Sequence, residues 1–351
     1  MNTFRSIGNV PSLRRWLAVV AMIVVIPPLG SFFEVGAQQT RQRQVGGPKP
    51  REEEGQTIRV GTQLVNVLFS VTDKENFYVN DLEKSEVSVL ENGKPQQIFT
   101  FKREFDLPLT MAMLVDVSNS VIPVLPRLTT AGSRFINSVV RPTKDLAAVI
   151  QFNIDATLIQ DLTSNPPLLR RGLREIARAA AAPQRDDDFN GPLPPLNSHV
   201  DVGGTSIYDS IVAACKDLLA SRQGRKTIIL FTDGFDTTSR VGRSDAIDEA
   251  LRAEVVIYAI GIGDMNEEGV HKKELNKLCE PTGGRAFIPR SSEDLDRAFM
   301  QLEQELRQQY LLAYEPLNET ADGTFRKIEV RVNNRKGIHI RHRRGYYASR
   351  Q

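Results

Sequence analysis

Between Leu109 and Gln309, uniformly apolar stretches alternate with amphipathic helical ones, and this alternation restricts the fold more than any other feature of the chain. Strands are expected at 110–115, 147–152, 226–231, 255–260 and 285–288. Helices are expected at 122–140, 167–181, 206–221, 244–253 and 267–279, and a last one opens at Ser291-Ser292-Glu293-Asp294 and reaches about Gln309. That opening sets hydroxyls and acids at the positive end of a helix. Met111-Ala112-Met113-Leu114-Val115 and Ile228-Ile229-Leu230-Phe231 offer no polar side chain to water. Such strands suit a parallel sheet covered by helices on both faces. The expected fold class is α/β, with a doubly wound, mostly parallel sheet.

The flanks read differently. Leu64, Val65, Val67, Phe69 and Val71 fall in one β-forming run and Val87, Val89 and Leu90 in another, while Ile98 and Phe101 follow Glu91-Asn92-Gly93-Lys94. An Asn-Gly pair favours a tight hairpin because both residues tolerate left-handed backbone angles. Beyond the last helix, Tyr310-Leu311-Leu312-Ala313-Tyr314, an alternating run from Lys327 to Val332 and a short run from Ile338 to Ile340 are strand-like again. Three short terminal strands do not easily stand alone. They are expected to pair with the strands before Leu109, so that the α/β domain (108–309) is inserted into one small β-sandwich built from 58–107 and 310–351.

Residues 1–37 have the form of an export signal. Arg5, Arg14 and Arg15 precede an apolar run from Trp16 to Ile26, and Val35-Gly36-Ala37 supplies small residues for cleavage. The run is 11 residues long before Pro27-Pro28, short of the ~20 that span a bilayer. Adding Leu29 to Phe33 makes a crude span, so a retained anchor stays open. Residues 38–57 are polar, rich in Gly, Pro and opposed charges, and too poor in apolar surface to offset chain entropy. They are expected to form a disordered linker. The expected location is periplasmic or secreted.

Charge favours neither nucleic acid nor acidic lipid. The chain has 45 basic and 43 acidic residues, and 42 of each remain without the leader. A balanced charge exerts no long-range pull on a polyanion, so membrane contact is expected only through the N-terminal segment. Cys215 and Cys279 lie in apolar helical patterns. They are expected as small buried residues, with a disulfide still open in an exported compartment.

The chemistry concentrates in three loops. Asp116-Val117-Ser118-Asn119-Ser120 directly follows a buried strand, Gly203-Gly204-Thr205-Ser206 precedes a helix, and Thr232-Asp233-Gly234 ends another buried strand. Ligands of open α/β sheets gather beyond the carboxyl ends of strands. If the two carboxylate-bearing strands are neighbours, Asp116 and Asp233 converge with Ser118, Ser120 and Thr205. That all-oxygen shell suits Mg²⁺, which prefers six oxygens at about 2.0–2.1 Å. Local helix capping and turn closure by the same side chains is the competing reading.

Asp209 and Asp236 are expected as solvated acids rather than supports of the shell. The segment 183–202 holds Asp186-Asp187-Asp188 and several prolines. A solvated insertion, a specificity rim and a second cation site are the readings open for it. Arg341-His342-Arg343-Arg344 is expected as the exposed face and end of a strand.

The three loops, in this order, resemble the metal-ion-dependent adhesion site of the von Willebrand factor A family, over about 109–309. The resemblance implies that Ser118, Ser120 and Thr205 coordinate a divalent ion directly or through water, and that Asp116 and Asp233 act through water. Mg²⁺ is the expected ion, with Mn²⁺ and Ca²⁺ as alternatives. Neutral hydroxyl ligands leave the cation electrophilic, so an Asp or Glu carboxylate of a partner protein can complete its shell. In the flanks, Val65-Asn66-Val67, Glu91-Asn92-Gly93-Lys94-Pro95, Tyr310-Leu311-Leu312-Ala313-Tyr314 and Arg344-Gly345-Tyr346-Tyr347 are similar to the VWFA-related family known from acidobacteria.

The implied role is an adhesion or assembly module. Catalysis is not expected: His199, His271, His339 and His342 lack metal-ligand spacing and lie outside the three motif loops. No nucleophile elbow, phosphate loop followed by Lys, or dinucleotide fingerprint occurs. The alternatives are a structural envelope component whose metal only stiffens the fold, and a metal-dependent hydrolase.

Overall fold

The structure, a computed structural model, describes residues 64–104, 107–181, 204–263 and 269–349. The expected leader, linker and 183–202 insertion lie outside the described residues. The chain opens with β1 (Val65–Thr72), β2 (Val87–Glu91), β3 (Lys94–Gln96) and β4 (Ile98–Glu104). Asn92 and Gly93 join β2 to β3 with φ of 48° and 80°, the left-handed pair that a tight hairpin requires.

The insert follows as β5 (Leu109–Asp116), α1 (Leu125–Val139), β6 (Leu146–Phe152), β7 (Ala156–Thr163), α2 (Pro166–Ala181), α3 (Ile207–Ala213), β8 (Arg225–Thr232), α4 (Arg243–Arg252), β9 (Val255–Gly261), α5 (Lys272–Cys279), β10 (Ala286–Phe287) and α6 (Ser292–Arg307). Ser291 caps α6 by accepting from the Asp294 N–H at 3.0 Å, as its opening sequence predicts. The sheet order is β10-β9-β8-β5-β6-β7. All its pairings are parallel except that of β6 with β7. The antiparallel edge strand β7 was not expected: its residues are mostly half-buried, without the solid apolar run of a central strand.

Successive residues of β5 and β8 alternate between two cores. Met111, Met113 and Ile229 meet Leu128, Leu173 and Phe299 from α1, α2 and α6 on one face. Ala112, Leu114 and Ile228 meet Ile211, Leu251 and Leu275 from α3, α4 and α5 on the other. Both faces are covered, so the α/β domain is doubly wound as expected. Each such large side chain taken fully from water contributes about 1.5–3 kcal/mol.

The chain closes with β11 (Gln309–Tyr314), β12 (Phe325–Val332), β13 (His339–His342) and β14 (Gly345–Tyr347), four strands where the sequence suggested three. Two antiparallel sheets result, β13-β1-β11-β4 and β14-β12-β2-β3. Val67 opposes Leu312 in the first and Val89 opposes Val330 in the second. Each sheet therefore mixes strands from both flanks, and their inner faces share one core that includes Val67, Phe69, Val89, Tyr314 and Val330. The α/β domain is inserted into this sandwich.

A polar junction joins the two layers. Glu305 of α6 is fully buried; it accepts from the Ser70 hydroxyl at 2.6 Å and the Tyr78 hydroxyl at 2.7 Å. Arg285 forms an ion pair with it at 3.0 Å. The basic run at the end of β13 needs a correction. Arg343 is buried, donating to Glu254 at 2.9 Å and to the Asn66 carbonyl at 2.6 Å. Its burial comes from a tertiary partner that local sequence does not reveal. Cys215 and Cys279 are both buried and unbridged. Among the described residues no helix is long and apolar enough to cross a membrane.

Candidate metal centre

Strands β5 and β8 are neighbours in register, with Val115 beside Phe231. Their carboxyl ends therefore deliver two carboxylates, on Asp116 and Asp233, to the same rim. Asp116 ends β5 fully buried, and Asp233 follows β8 with 5% exposure. The Ser118 N–H donates to Asp116 Oδ1 at 2.8 Å and the Thr232 hydroxyl to Asp116 Oδ2 at 2.6 Å. The Phe235 N–H donates to Asp233 Oδ1 at 3.0 Å and the Ser120 hydroxyl to Asp233 Oδ2 at 2.5 Å. The Ser118 and Ser120 hydroxyls stand 3.2 Å apart. Asp116, Ser118, Ser120 and Asp233 thus form one connected cluster.

Thr205 reaches this rim by its backbone. Its N–H donates to the Thr237 hydroxyl at 2.9 Å, and its carbonyl accepts from the Thr237 N–H at 2.9 Å. The neighbouring Ser206 N–H donates to the Asn153 carbonyl at 2.7 Å. Asn153 follows β6 and Thr237 follows β8, so the loop bridges the two strands on either side of β5. The Thr205 hydroxyl itself makes no hydrogen bond among the described residues. Gly204 lets the loop pack against Thr238, since a Cβ on it would lie 2.3 Å from Thr238 Cγ2.

Residues 192–301 match the family model of the von Willebrand factor type A domain. This chain contains a von Willebrand factor type A domain. The match includes Thr205 and Asp233, while Asp116, Ser118 and Ser120 precede it. Similar solved structures include proximal thread matrix protein 1 of the mussel byssus, 16% identical over 68% of this chain and 50% of that one, with a TM-score of 0.45. A second structure of that protein, with zinc in its MIDAS motif, is 17% identical over 62% and 49%, with a TM-score of 0.46. A von Willebrand factor type A protein from Catenulispora acidiphila is 13% identical over 83% and 75%, with a TM-score of 0.45. The chain spans about half the length of the byssus protein. No curated protein matches it in sequence.

The A-domain rim has the chemistry of a hard-cation site. Neither Asp116 nor Asp233 has a cationic side chain within ion-pair distance among the described residues. Burial pushes the Asp116 carboxyl up to about 6, against the hydrogen bonds from Thr232 and Ser118, and Asp233 pushes it further. Two buried acids on one rim carry their full charge more easily when a cation stands beside them. The oxygen-only donors around them match Mg²⁺ or Ca²⁺ better than a soft ion. Among the described residues no cluster of three His, Cys, Asp or Glu forms, so serine and threonine hydroxyls must complete any shell.

Several contributors escaped the sequence reading. Thr232 holds Asp116, and Thr237 holds the Thr205 loop. His271 sits beside the motif after all: its N–H donates to the Asp233 carbonyl at 2.7 Å, and its ring stacks on that of Phe235 at 5.0 Å. Asp209 and Asp236 are not simply solvated. Asp209 accepts from the Arg240 and Val241 N–H groups, and Asp236 from Ser239 and the Tyr208 N–H, which together pin the loop after β8. Only strand order brings these groups together, and a local pattern carries no trace of it.

Proposed function

We propose that this A domain is an exported, metal-ion-dependent protein-binding module that captures an Asp or Glu carboxylate of a partner. Asp116, Ser118, Ser120, Thr205 and Asp233 would hold one divalent ion, Mg²⁺ first among the candidates. Bound there, that ion would supply a Lewis acid for an incoming carboxylate. The supporting observation is the pair of buried carboxylates at the rim, one bonded to the Ser120 hydroxyl and the other to the Thr232 hydroxyl, with no basic partner among the described residues. Asp233 orients the Ser120 hydroxyl and Asp116 fixes the Ser118 backbone, and the neutral hydroxyls would leave positive charge for the partner. The exposed Phe235, stacked on His271, gives the rim an apolar shoulder for the partner's surface. Export rests on the leader-like residues 1–37, and no catalytic step is part of this role.

The test is capture of envelope proteins on the immobilised full chain in Mg²⁺, repeated in chelator and with Ser118→Ala. Capture should need Mg²⁺, fail with Ser118→Ala, and be reversed by an Asp-containing peptide but not by its Asn counterpart. Equal capture with and without chelator would leave the metal a stabilising role only.

A further inference from the structure

At the opposite end of the sheet from the metal rim, β8 begins with two basic residues, Arg225 and Lys226, and both are buried. They line a cavity of about 470 Å³ at the junction between the α/β domain and the sandwich. Cavities of ~300–1,000 Å³ are the size that hold small molecules. The α/β domain contributes Leu251 and Val255 to its wall, and the sandwich contributes Leu68 and Leu311. Its lining also carries four cationic side chains, the exposed Arg222 and the buried Arg225, Lys226 and Arg343, against the single carboxylate of Glu254.

Three of those five charged groups already have partners. Arg225 donates to the carbonyls of Leu306 and Leu107, and Arg343 is shared between Glu254 and the Asn66 carbonyl. Lys226 differs. The residue is 8% exposed, yet among the described residues its ammonium has neither a hydrogen bond nor an ion pair. Burial pulls its pKa below the ordinary lysine value, Glu254 opposes this, and Arg343 adds to it. An anion entering the cavity would therefore meet an ammonium that no other side chain holds.

We propose that this cavity binds a small amphipathic oxyanion, a carboxylate or phosphate on an apolar body, with its head on Lys226 and its body against Leu68, Leu251 and Leu311. Arg343 and Arg225 supply the surrounding positive field. Because the lining comes from both layers, an occupant would brace the junction and raise the stability of the whole chain by mass action.

The experiment is calorimetric titration of the full chain with octanoate, octyl phosphate and octanol, in chelator so that the metal centre plays no part. Octanoate or octyl phosphate should bind at least about tenfold more tightly than octanol, as expected for a charged hydrogen bond, and should raise Tm. The tighter of the two anions names the head group. Lys226→Met should reduce that preference to within about twofold without lowering the Tm of the free protein, since it removes an unpaired buried charge. Lys226→Gln serves the same purpose if the methionine variant does not fold, and Lys226→Arg should retain the preference. Equal affinity for octanoate and octanol, no binding at millimolar ligand, or an unchanged preference in both neutral variants would overturn the proposal.

Discussion

Ser70 and Glu305 lie 235 positions apart in the chain, and the Ser70 hydroxyl donates to the Glu305 carboxylate at 2.6 Å inside the junction between sandwich and α/β domain. Tyr78 and Arg285 converge on the same carboxylate. Glu305→Ala should therefore cost about 3–5 kcal/mol, because it strands a half-buried guanidinium and two hydroxyls. Ser70→Ala should cost only about 1 kcal/mol. Urea unfolding of both variants checks this, and near-equal losses would contradict the central place given to Glu305.

Asp116→Asn should have opposite effects with and without metal. Mg²⁺ affinity, measured by calorimetry, should fall about 10–100-fold, as for other residues that orient a ligand shell. In chelator the variant should melt no lower than the parent, since it removes one of two buried acids that have no basic partner among the described residues. A large loss of Tm in chelator would show that Asp116 serves the fold rather than the cation.

Gly204→Ala should displace the Thr205 loop, because its Cβ would strike Thr238 Cγ2. Mg²⁺ affinity should drop while the two hydrophobic cores stay intact. Thr238→Ser deletes that methyl and keeps the hydroxyl that lies 2.8 Å from Ser206 Oγ, so adding it should restore most of the lost affinity. A double variant as weak as Gly204→Ala alone would rule out this contact as the cause.

His342 gives the sandwich a pH dependence of known sign. Its Nε2 accepts from the Val330 N–H at 3.3 Å, so Nδ1 carries the proton donated to the Arg343 carbonyl at 2.7 Å. Burial holds its pKa below 6.5, opposed by the Arg343 carbonyl and by Glu329. The unfolded chain therefore takes up the proton first. Stability is full above about pH 6.5 and is lost as pH falls toward the folded pKa, by at most about 1.4 kcal/mol per pH unit. Melting curves of the parent and His342→Gln from pH 7.5 down to 5 should converge as the parent loses this contribution.

The features legible in the sequence were those encoded locally. Solid apolar runs at Met111–Val115 and Ile228–Phe231 announced covered parallel strands, and Asn92-Gly93 announced its hairpin. Asp116, Ser118, Ser120 and Asp233 can be placed at one rim from sequence because motif and strand end coincide. The edge strand β7 was missed because half-buried residues carry no solid apolar run. Glu305, Lys226 and Arg343 were missed for another reason: charged residues are seldom buried, and the groups around them come from distant elements. Thr232 and His271 likewise join the rim only because β5 lies beside β8 and β8 beside β9.

Glu104 and Gln309 face each other as paired residues of β4 and β11. The polypeptide thus leaves its base and comes back to it within one strand spacing, about 5 Å. That closure asks of an insert only that its two ends lie side by side, whatever its length. A foreign head set there would still leave Ser70, Arg343 and Arg344 without the acids they now hold, Glu305, Glu254 and Asp248.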